Sequence, residues 1–259
     1  MVDPAPTTTS AGCRIEADAD GIFSCQEHAS QEWQIMRALG AESACDRQVV
    51  RANTSVARDP LAGPQTVRRL AESEHAGVRN VVAQRDDLPL DVASGLAADP
   101  EQRVRRSLAH NPDTPQQVLT ELAARDSATE RWWVAENPSL PRDVLRRLAR
   151  DPSEAVRHRA ARVVDGPPEL LLRLALGDSA AVRGAVAANP ATPGAVLDLL
   201  ARDPIVMVRR HVSVHENTTA RALLQLSRDP VMGIRNNAIT RCERLLELGQ
   251  AFASRSTDR

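Results

Sequence analysis

Residues 99–124 read DPEQRVRRSLAHNPDTPQQVLTELAA, and steps of 26 residues along the chain meet the same pattern repeatedly. Val78, Val104, Val156, Val182, Val208 and Ile234 fall in one column, whose only polar member is Glu130. Arg79, Arg105, Arg131, Arg157, Arg183, Arg209 and Arg235 fill the next column without a break. Ala83, Ala109, Ala135, Ala161 and Ala187 form a third, and Leu70, Leu96, Leu122, Leu148, Leu174, Leu200 and Leu226 a fourth. A fixed period of roughly 20–50 residues is the signature of a solenoid, because one such unit is too small to bury its apolar face without neighbours.

Each repeat encodes two helix starts. Asp99 and Pro100 mark the first: an Asp side chain accepts from the free N–H groups of a helix, and proline suits the first helical position. Thr114 and Pro115 mark the second, with Gln117 three residues after the threonine in a capping-box spacing. Asn111 before Pro112 ends the first helix, since the residue preceding proline is pushed towards extended backbone. The spacing predicts helices over roughly 100–110 and 115–124, each too short to persist alone in water. Val118, Leu119, Leu122 and Ala123 give the second an apolar stripe, and Val104, Leu108 and Ala109 do so for the first.

At about 100° per residue, Arg105 lies between Leu108 and Ala109 on the helical wheel, on the packing side. A column of aspartates (Asp99, Asp151, Asp203, Asp229) runs along the same array, with Asp126 and Asp178 offset by one residue. A guanidinium pairs with a carboxylate or bonds helix-end carbonyls, so the arginines read as a structural Arg–Asp ladder. The competing reading is a row of phosphate contacts. On the ladder reading, Arg157→Ala strands a partly buried carboxylate and destabilises the array.

These columns resemble the leucine-rich repeat variant family. The pattern VR-x-x-[VL]-A-x-N-P-x-T-P-x-x-[VL]-L-x-x-L-A-x-D stands as Val104-Arg105, Leu108-Ala109, Asn111-Pro112, Thr114-Pro115, Val118-Leu119 and Leu122-Ala123. It stands again as Val182-Arg183, Val186-Ala187, Asn189-Pro190, Thr192-Pro193 and Val196-Leu197. The resemblance covers about residues 52–240. It implies a right-handed superhelix in which α-helices alternate with shorter 3₁₀-type helices, and it implies no catalytic residues. Members of that family can carry an N-terminal cysteine-rich segment that binds an iron–sulfur cluster. The expected fold is an all-α, right-handed α-solenoid of about seven to eight 26-residue two-helix repeats with atypical N- and C-terminal caps.

The chain has 259 residues and a formal net charge of −1, so no overall basic field favours nucleic acid. All 33 basic residues are arginine, and aromatics are 2%, which leaves a core of Leu, Val and Ala. Residues 1–20, rich in Pro, Thr, Ala and Asp, read as a disordered tail. Residues 21–51 read as an N-terminal cap, with Ser24 and Glu27 in capping-box spacing and Trp33, Ile35, Met36 and Leu39 on one face. The solenoid follows over 52–240, opening on a degenerate repeat in which Asn53 replaces the column arginine, and 241–259 read as a C-terminal capping helix and tail. No signal-type apolar run and no membrane-length stretch is visible, which points to the cytoplasm and to no membrane partner.

Three sets of residues invite chemistry. Cys13, Cys25 and Cys45, with His28 spaced Cys25-x-x-His28, could hold zinc, or an iron–sulfur cluster if the family analogy extends here. No Cys-x-x-Cys occurs, and three reduced thiols are the plainer reading. With stacked helices about 8–10 Å apart, Cys242 is expected to lie far from that cluster. His211 and His215 share a helix face without the intervening Glu of a metalloprotease, and read as surface histidines. The third set is a ridge beside the ladder: Asn80, Arg106, Trp132, His158, Gly184, Arg210 and Asn236 in one column, then Gln84, His110, Glu136, Arg162, Ala188, Val214 and Thr240 one turn later. These columns vary while the core columns do not. The functional expectation is a non-catalytic scaffold, with no resident cofactor, that binds a protein or peptide through Arg106, His110, Trp132, Glu136, His158, Arg162 and Arg210. The alternatives are nucleic-acid backbone binding along an Arg-bearing groove, and a metal or iron–sulfur protein. Trp132 stands out as a large aromatic beside a repeat whose Val is replaced by Glu130, and one tryptophan of the Trp132–Trp133 pair is expected to turn inward.

Overall fold

The computed structural model describes residues 7–8, 14–25, 44–163 and 166–257. Three short strands come first: β1 (Thr7–Thr8), β2 (Arg14–Ala17) and β3 (Phe23–Cys25), paired antiparallel in the order β1-β2-β3. Fifteen helices follow among the described residues: α1 (Ala44–Arg58), α2 (Pro64–Ala71), α3 (Ala76–Val82), α4 (Leu90–Ala97), α5 (Gln102–His110), α6 (Gln116–Leu122), α7 (Ala128–Val134) and α8 (Arg142–Leu148). Then come α9 (Glu154–Ala160), α10 (Pro168–Ala175), α11 (Ala180–Ala188), α12 (Gly194–Leu200), α13 (Val206–Val214), α14 (Ala220–Leu226) and α15 (Met232–Thr257). The architecture is a helical repeat solenoid of two-helix units, closed by one long helix. Both helices of each repeat are α-helical, so the alternation with 3₁₀ helices implied by the family resemblance does not hold here.

The chain divides into two compact units, Met1–Arg125 with Asn137–Ser139, and Asp126–Glu136 with Leu140–Arg259. In the first unit α1, α3 and α5 stack as one layer and α2, α4 and α6 as a second. In the second unit α7, α9, α11, α13 and α15 form one layer, and α10, α12 and α14 stack in the other. The conserved-looking columns are the floor between the layers. Val78, Val104, Val156, Val182, Val208 and Ile234 are 0–2% exposed, and so are Leu108, Leu122, Leu148 and Leu226. Each such Val or Leu contributes about 1.5–3 kcal/mol by leaving water, which is what offsets the poor intrinsic stability of helices seven to nine residues long.

The N-terminal region departs from its sequence reading. Residues 14–17 and 23–25 are strands, not disordered tail or helix, and Ser24 sits in β3 rather than at a helix cap. Ile15, Cys25 and Val49 form a small core with Phe23 against it. Asn53, which stands in the arginine column, is 5% exposed and grips the Phe23 backbone: its Oδ1 accepts from Phe23 N–H at 2.8 Å and its Nδ2 donates to Phe23 O at 2.9 Å. In the degenerate first repeat the place of the arginine is thus taken by an asparagine that holds a strand. Helix α1 crosses the expected boundary at 51/52, and α15 crosses the one at 240/241. Trp33, Ile35, Met36 and Leu39 lie outside the described residues.

Thr114, Thr192 and Thr218 are not helix caps. Thr114 Oγ1 donates to Leu108 O at 2.6 Å, Thr192 to Val186 O at 2.6 Å and Thr218 to Val212 O at 2.6 Å, tying the turn to the preceding helix. Pro115 occupies the cap position of α6 with no side-chain cap. Asp99 is not the cap of α5 but lies two residues before the cap residue Glu101, its Oδ1 accepting from the Glu101 N–H at 2.8 Å in an Asx turn.

Candidate binding face and ladders

The column arginines are half-buried, and four of them, Arg79, Arg131, Arg183 and Arg209, reach two ways. One arm, which Arg157 has too, is intramolecular to its own repeat: Nη1 donates to the two carbonyls six and five residues back, as in Arg131 to Asp126 O, Arg157 to Asp151 O and Pro152 O, and Arg209 to Asp203 O and Pro204 O. The other arm is Nε with Nη2, which grips the aspartate 20 residues on, at the start of the next repeat. Arg79–Asp99, Arg131–Asp151, Arg183–Asp203 and Arg209–Asp229 all show an Nε–Oδ2 distance of 2.6 Å. Nη2 lies 2.9–3.3 Å from Oδ1 in these pairs. The arginine side chains are 12–14% exposed and the aspartates 3–5%. The hydrogen bond to aspartate holds each of these four guanidinium pKa values above the usual one. Burial pushes Asp99 and Asp229 up, but the arginine and the backbone N–H of Glu101 or Val231 outweigh it and leave both carboxyls below their ordinary range.

The ladder is not uniform. Position 125 is Arg125 and position 177 is Gly177, so Arg105 and Arg157 have no aspartate 20 residues on. The expectation that Arg157→Ala strands a carboxylate is therefore corrected: the rung it would break has no carboxylate. Arg105 and Arg235 keep their backbone arms, to Asp99 O and Pro100 O and to Asp229 O and Pro230 O.

A second ladder runs parallel and was not read from the sequence. Asn111 Nδ2 donates to Ala83 O and Arg85 O, Asn137 to Ala109 O and Asn111 O, and Asn189 to Ala161 O and Val163 O, all at 2.6–3.0 Å. In the same column Arg85 donates to Ala57 O and Asp59 O, and Arg241 to Ser213 O. His215 takes the place of an asparagine, its Nε2 2.8 Å from Asn189 O. It is 8% exposed, which corrects its reading as a solvated surface histidine; His211 is half-buried, with Nδ1 3.2 Å from Gly184 O. The signal available in the sequence was the recurrence of Asn before Pro at 26-residue spacing, which also has the simpler meaning of a helix stop.

Beside the ladders lies the variable ridge. None of the fourteen residues of its two columns is buried. In the first unit Arg106 is exposed and His110 half-buried, with its Nδ1 2.8 Å from Arg106 O. In the second unit Arg162 and Arg210 are exposed, while Trp132, Glu136 and His158 are half-buried. Trp133 is the tryptophan that turns inward, at 6% exposure, beside Glu130 at 4%. Trp132 and His158 stand on the stacked helices α7 and α9, and Arg159 Nε on α9 lies 3.4 Å from Oε1 of Glu136, just past the end of α7. Burial is the main cause that lowers the His158 pKa, with the Arg162 charge acting in the same direction.

The metal candidates fare differently. Cys25 is disulfide-bonded and 5% exposed, so it offers no free thiolate to a metal and is withdrawn from the proposed ligand set. Cys13, His28 and the Cys45 side chain lie outside the described residues. Cys242 is a free, half-buried thiol. No cluster of three or more His, Cys, Asp or Glu that could hold a metal occurs among the described residues. Nor is any described helix long and apolar enough to cross a membrane.

Two segments, 128–153 and 180–205, match the family model described as leucine rich repeat variant. A solved structure titled as a leucine-rich repeat variant with a novel repetitive structural motif overlays with a TM-score of 0.57 at 24% identity, covering 83% of this chain and 97% of that one. An engineered protein overlays at a TM-score of 0.37 and 14% identity, over 82% of this chain and 67% of that one, and a designed armadillo repeat protein at 0.27 and 15%, over 81% and 98%. No curated protein matches the chain.

Proposed function

We propose that this chain, which carries leucine-rich repeat variant repeats at residues 128–153 and 180–205, is a non-catalytic scaffold that binds a protein or peptide on the ridge beside its arginine ladder. The observation that supports this reading is the contrast between neighbouring columns. The ladder and core columns are repeated and spent on holding repeats together, whereas the ridge columns vary from repeat to repeat and none of their residues is buried. Within the second unit Trp132, Glu136, His158, Arg162 and Arg210 offer an aromatic surface flanked by charge, the usual make-up of an interface hot spot. The arginine column gives the nucleic-acid alternative little support, because four of its seven guanidiniums are already paired with aspartates.

The test is to recover partners from the source cells on the immobilised protein and measure their affinity against Trp132→Ala. The expected loss is about 2 kcal/mol, roughly 30-fold in Kd, with the variant keeping its fold by circular dichroism. Equal affinity of wild type and variant for every recovered partner overturns the ridge reading. A gel shift at low salt that survives removal of the protein partner would instead favour the nucleic-acid alternative.

A further inference from the structure

The missing rung at Arg157 has the chemistry of a ligand site. In four repeats a single aspartate receives three donors: Nε and Nη2 of the arginine 20 residues back, and the backbone N–H two residues on. For Asp203 these are Arg183 Nε at 2.6 Å, Arg183 Nη2 at 3.3 Å and Ile205 N–H at 2.8 Å. For Asp229 they are Arg209 Nε at 2.6 Å, Arg209 Nη2 at 3.3 Å and Val231 N–H at 2.8 Å. Arg157 keeps the same anchoring arm, Nη1 to Asp151 O at 2.6 Å and to Pro152 O at 2.8 Å. A guanidinium is planar, so fixing Nη1 aims the Nε–Nη2 edge at the position where the carboxylate sits in the other rungs. That position is Gly177, which has no side chain and is exposed.

Among the described residues nothing replaces the carboxylate. Neither Nε nor Nη2 of Arg157 has a partner, and the N–H of Ser179, the counterpart of the Ile205 and Val231 amides, has no acceptor. Asp178, one residue along, is exposed and makes no bond to Arg157; its carbonyl and that of Gly177 accept from Arg183 Nη1 at 2.8 and 3.0 Å. The other rung without aspartate differs, because Arg125 stands at the equivalent position and donates to Ala97 O.

We propose that Arg157 and the Ser179 N–H, opened to solvent by Gly177, form a notch for one carboxylate, and that its occupant is an acidic side chain of the bound peptide. The scaffold reading enters only as the source of that carboxylate; the notch itself stands on the repeat geometry. A bidentate guanidinium and one amide match a carboxylate's two oxygens, as the four filled rungs show within the same molecule.

Two measurements test it. The first fills the notch from within. Gly177 has no positive φ, and the turn there, with its N–H bonded to Leu174 O at 3.2 Å, is the turn that Asp99 makes with Leu96 O at 3.2 Å. Gly177→Asp is therefore expected to raise the melting midpoint by about 2–4 °C, Gly177→Asn to raise it much less, and Arg157→Gln to abolish the difference between them. A gain from Asp that persists in the Arg157→Gln background overturns the notch. The second fills it from outside, by following the Ser179 amide and Arg157 Nε–H resonances of the full chain during titration with sodium acetate, with a capped Gly-Ser-Asp-Ser-Gly peptide and with its Asn counterpart. Acetate and the Asp peptide are expected to shift both resonances, the Asn peptide neither, and Gly177→Asp to silence the response. No shift with acetate overturns the notch whatever the fate of the scaffold reading. A response to acetate with no tighter response to the Asp peptide keeps the notch as a site for free anions and overturns the peptide as its occupant.

Discussion

Cutting the Arg79–Asp99 rung tests whether the ladder holds repeats together or merely decorates them. Arg79 Nε donates to Asp99 Oδ2 at 2.6 Å and Nη2 to Oδ1 at 3.0 Å, between side chains 12% and 4% exposed. In Arg79→Ala the carboxylate keeps only the Glu101 N–H at 2.8 Å among these three donors. Stranding a buried charge costs about 3–5 kcal/mol, but this pair lies at the rim of the array where water can enter once the guanidinium is gone. The expected loss is therefore about 2–3 kcal/mol. At about 2–4 °C per kcal/mol for a chain of this size, the melting midpoint falls by about 4–12 °C. Asp99→Asn keeps an oxygen for the Glu101 N–H and removes only the charge, so a cycle closed with the double variant isolates the pair, with an expected coupling of about 1.5–3 kcal/mol. Acid adds an independent reading. The folded pKa of Asp99 is depressed, so its contribution is present above the unfolded value of about 3.9 and is lost as pH falls through the folded value. Wild type should thus lose stability below about pH 4 more steeply than Arg79→Ala. The assay is thermal melting followed by circular dichroism across that range. A coupling below about 0.5 kcal/mol, or equal acid slopes in the two proteins, would refute the ladder's structural role.

Asn137→Ala should cost about 1–3 kcal/mol in denaturant unfolding, since it leaves the carbonyls of Ala109 and Asn111 without their side-chain donor; a loss under about 0.5 kcal/mol would show the second ladder to be dispensable. Trp133→Ala should cost about 3–5 kcal/mol, because the ring is 6% exposed, while Trp132→Ala should cost well under half of that; the reverse ranking would mean the two rings had been assigned to the wrong sides. His158 should titrate below about 6.5 when its ring protons are followed by NMR, because burial and the Arg162 charge both disfavour the imidazolium. Its depressed folded pKa means that the unfolded chain takes up the proton first, so acidification through about pH 6 should weaken wild type more than His158→Gln.

The period, the two-helix repeat and the buried columns could be read from the chain alone because they depend only on spacing. A Val or Leu returning every 26 residues has to face the same floor in every repeat, whatever the angle between repeats. The arginine column was legible for the same reason, but its partners were not. Which aspartate meets Arg131, and that none meets Arg157, depends on how far one repeat is offset from the next, and that offset sets the 20-residue register of the rungs. The asparagine ladder was hidden more deeply, since Asn111 bonds carbonyls 26 and 28 residues back and backbone groups leave no trace in a sequence column. Thr114 was misassigned on the same ground: its hydroxyl faced a choice between the next helix's N–H groups and the last helix's carbonyl, and the tight turn gave it to Leu108. Asn53 and the strands it holds needed the fold most of all, because a single asparagine in an arginine column acquires meaning only once Phe23 is seen to lie against it. Local spacing dictated which faces are apolar; stacking geometry decided which polar groups meet, because those bonds join residues that only the third dimension brings within reach.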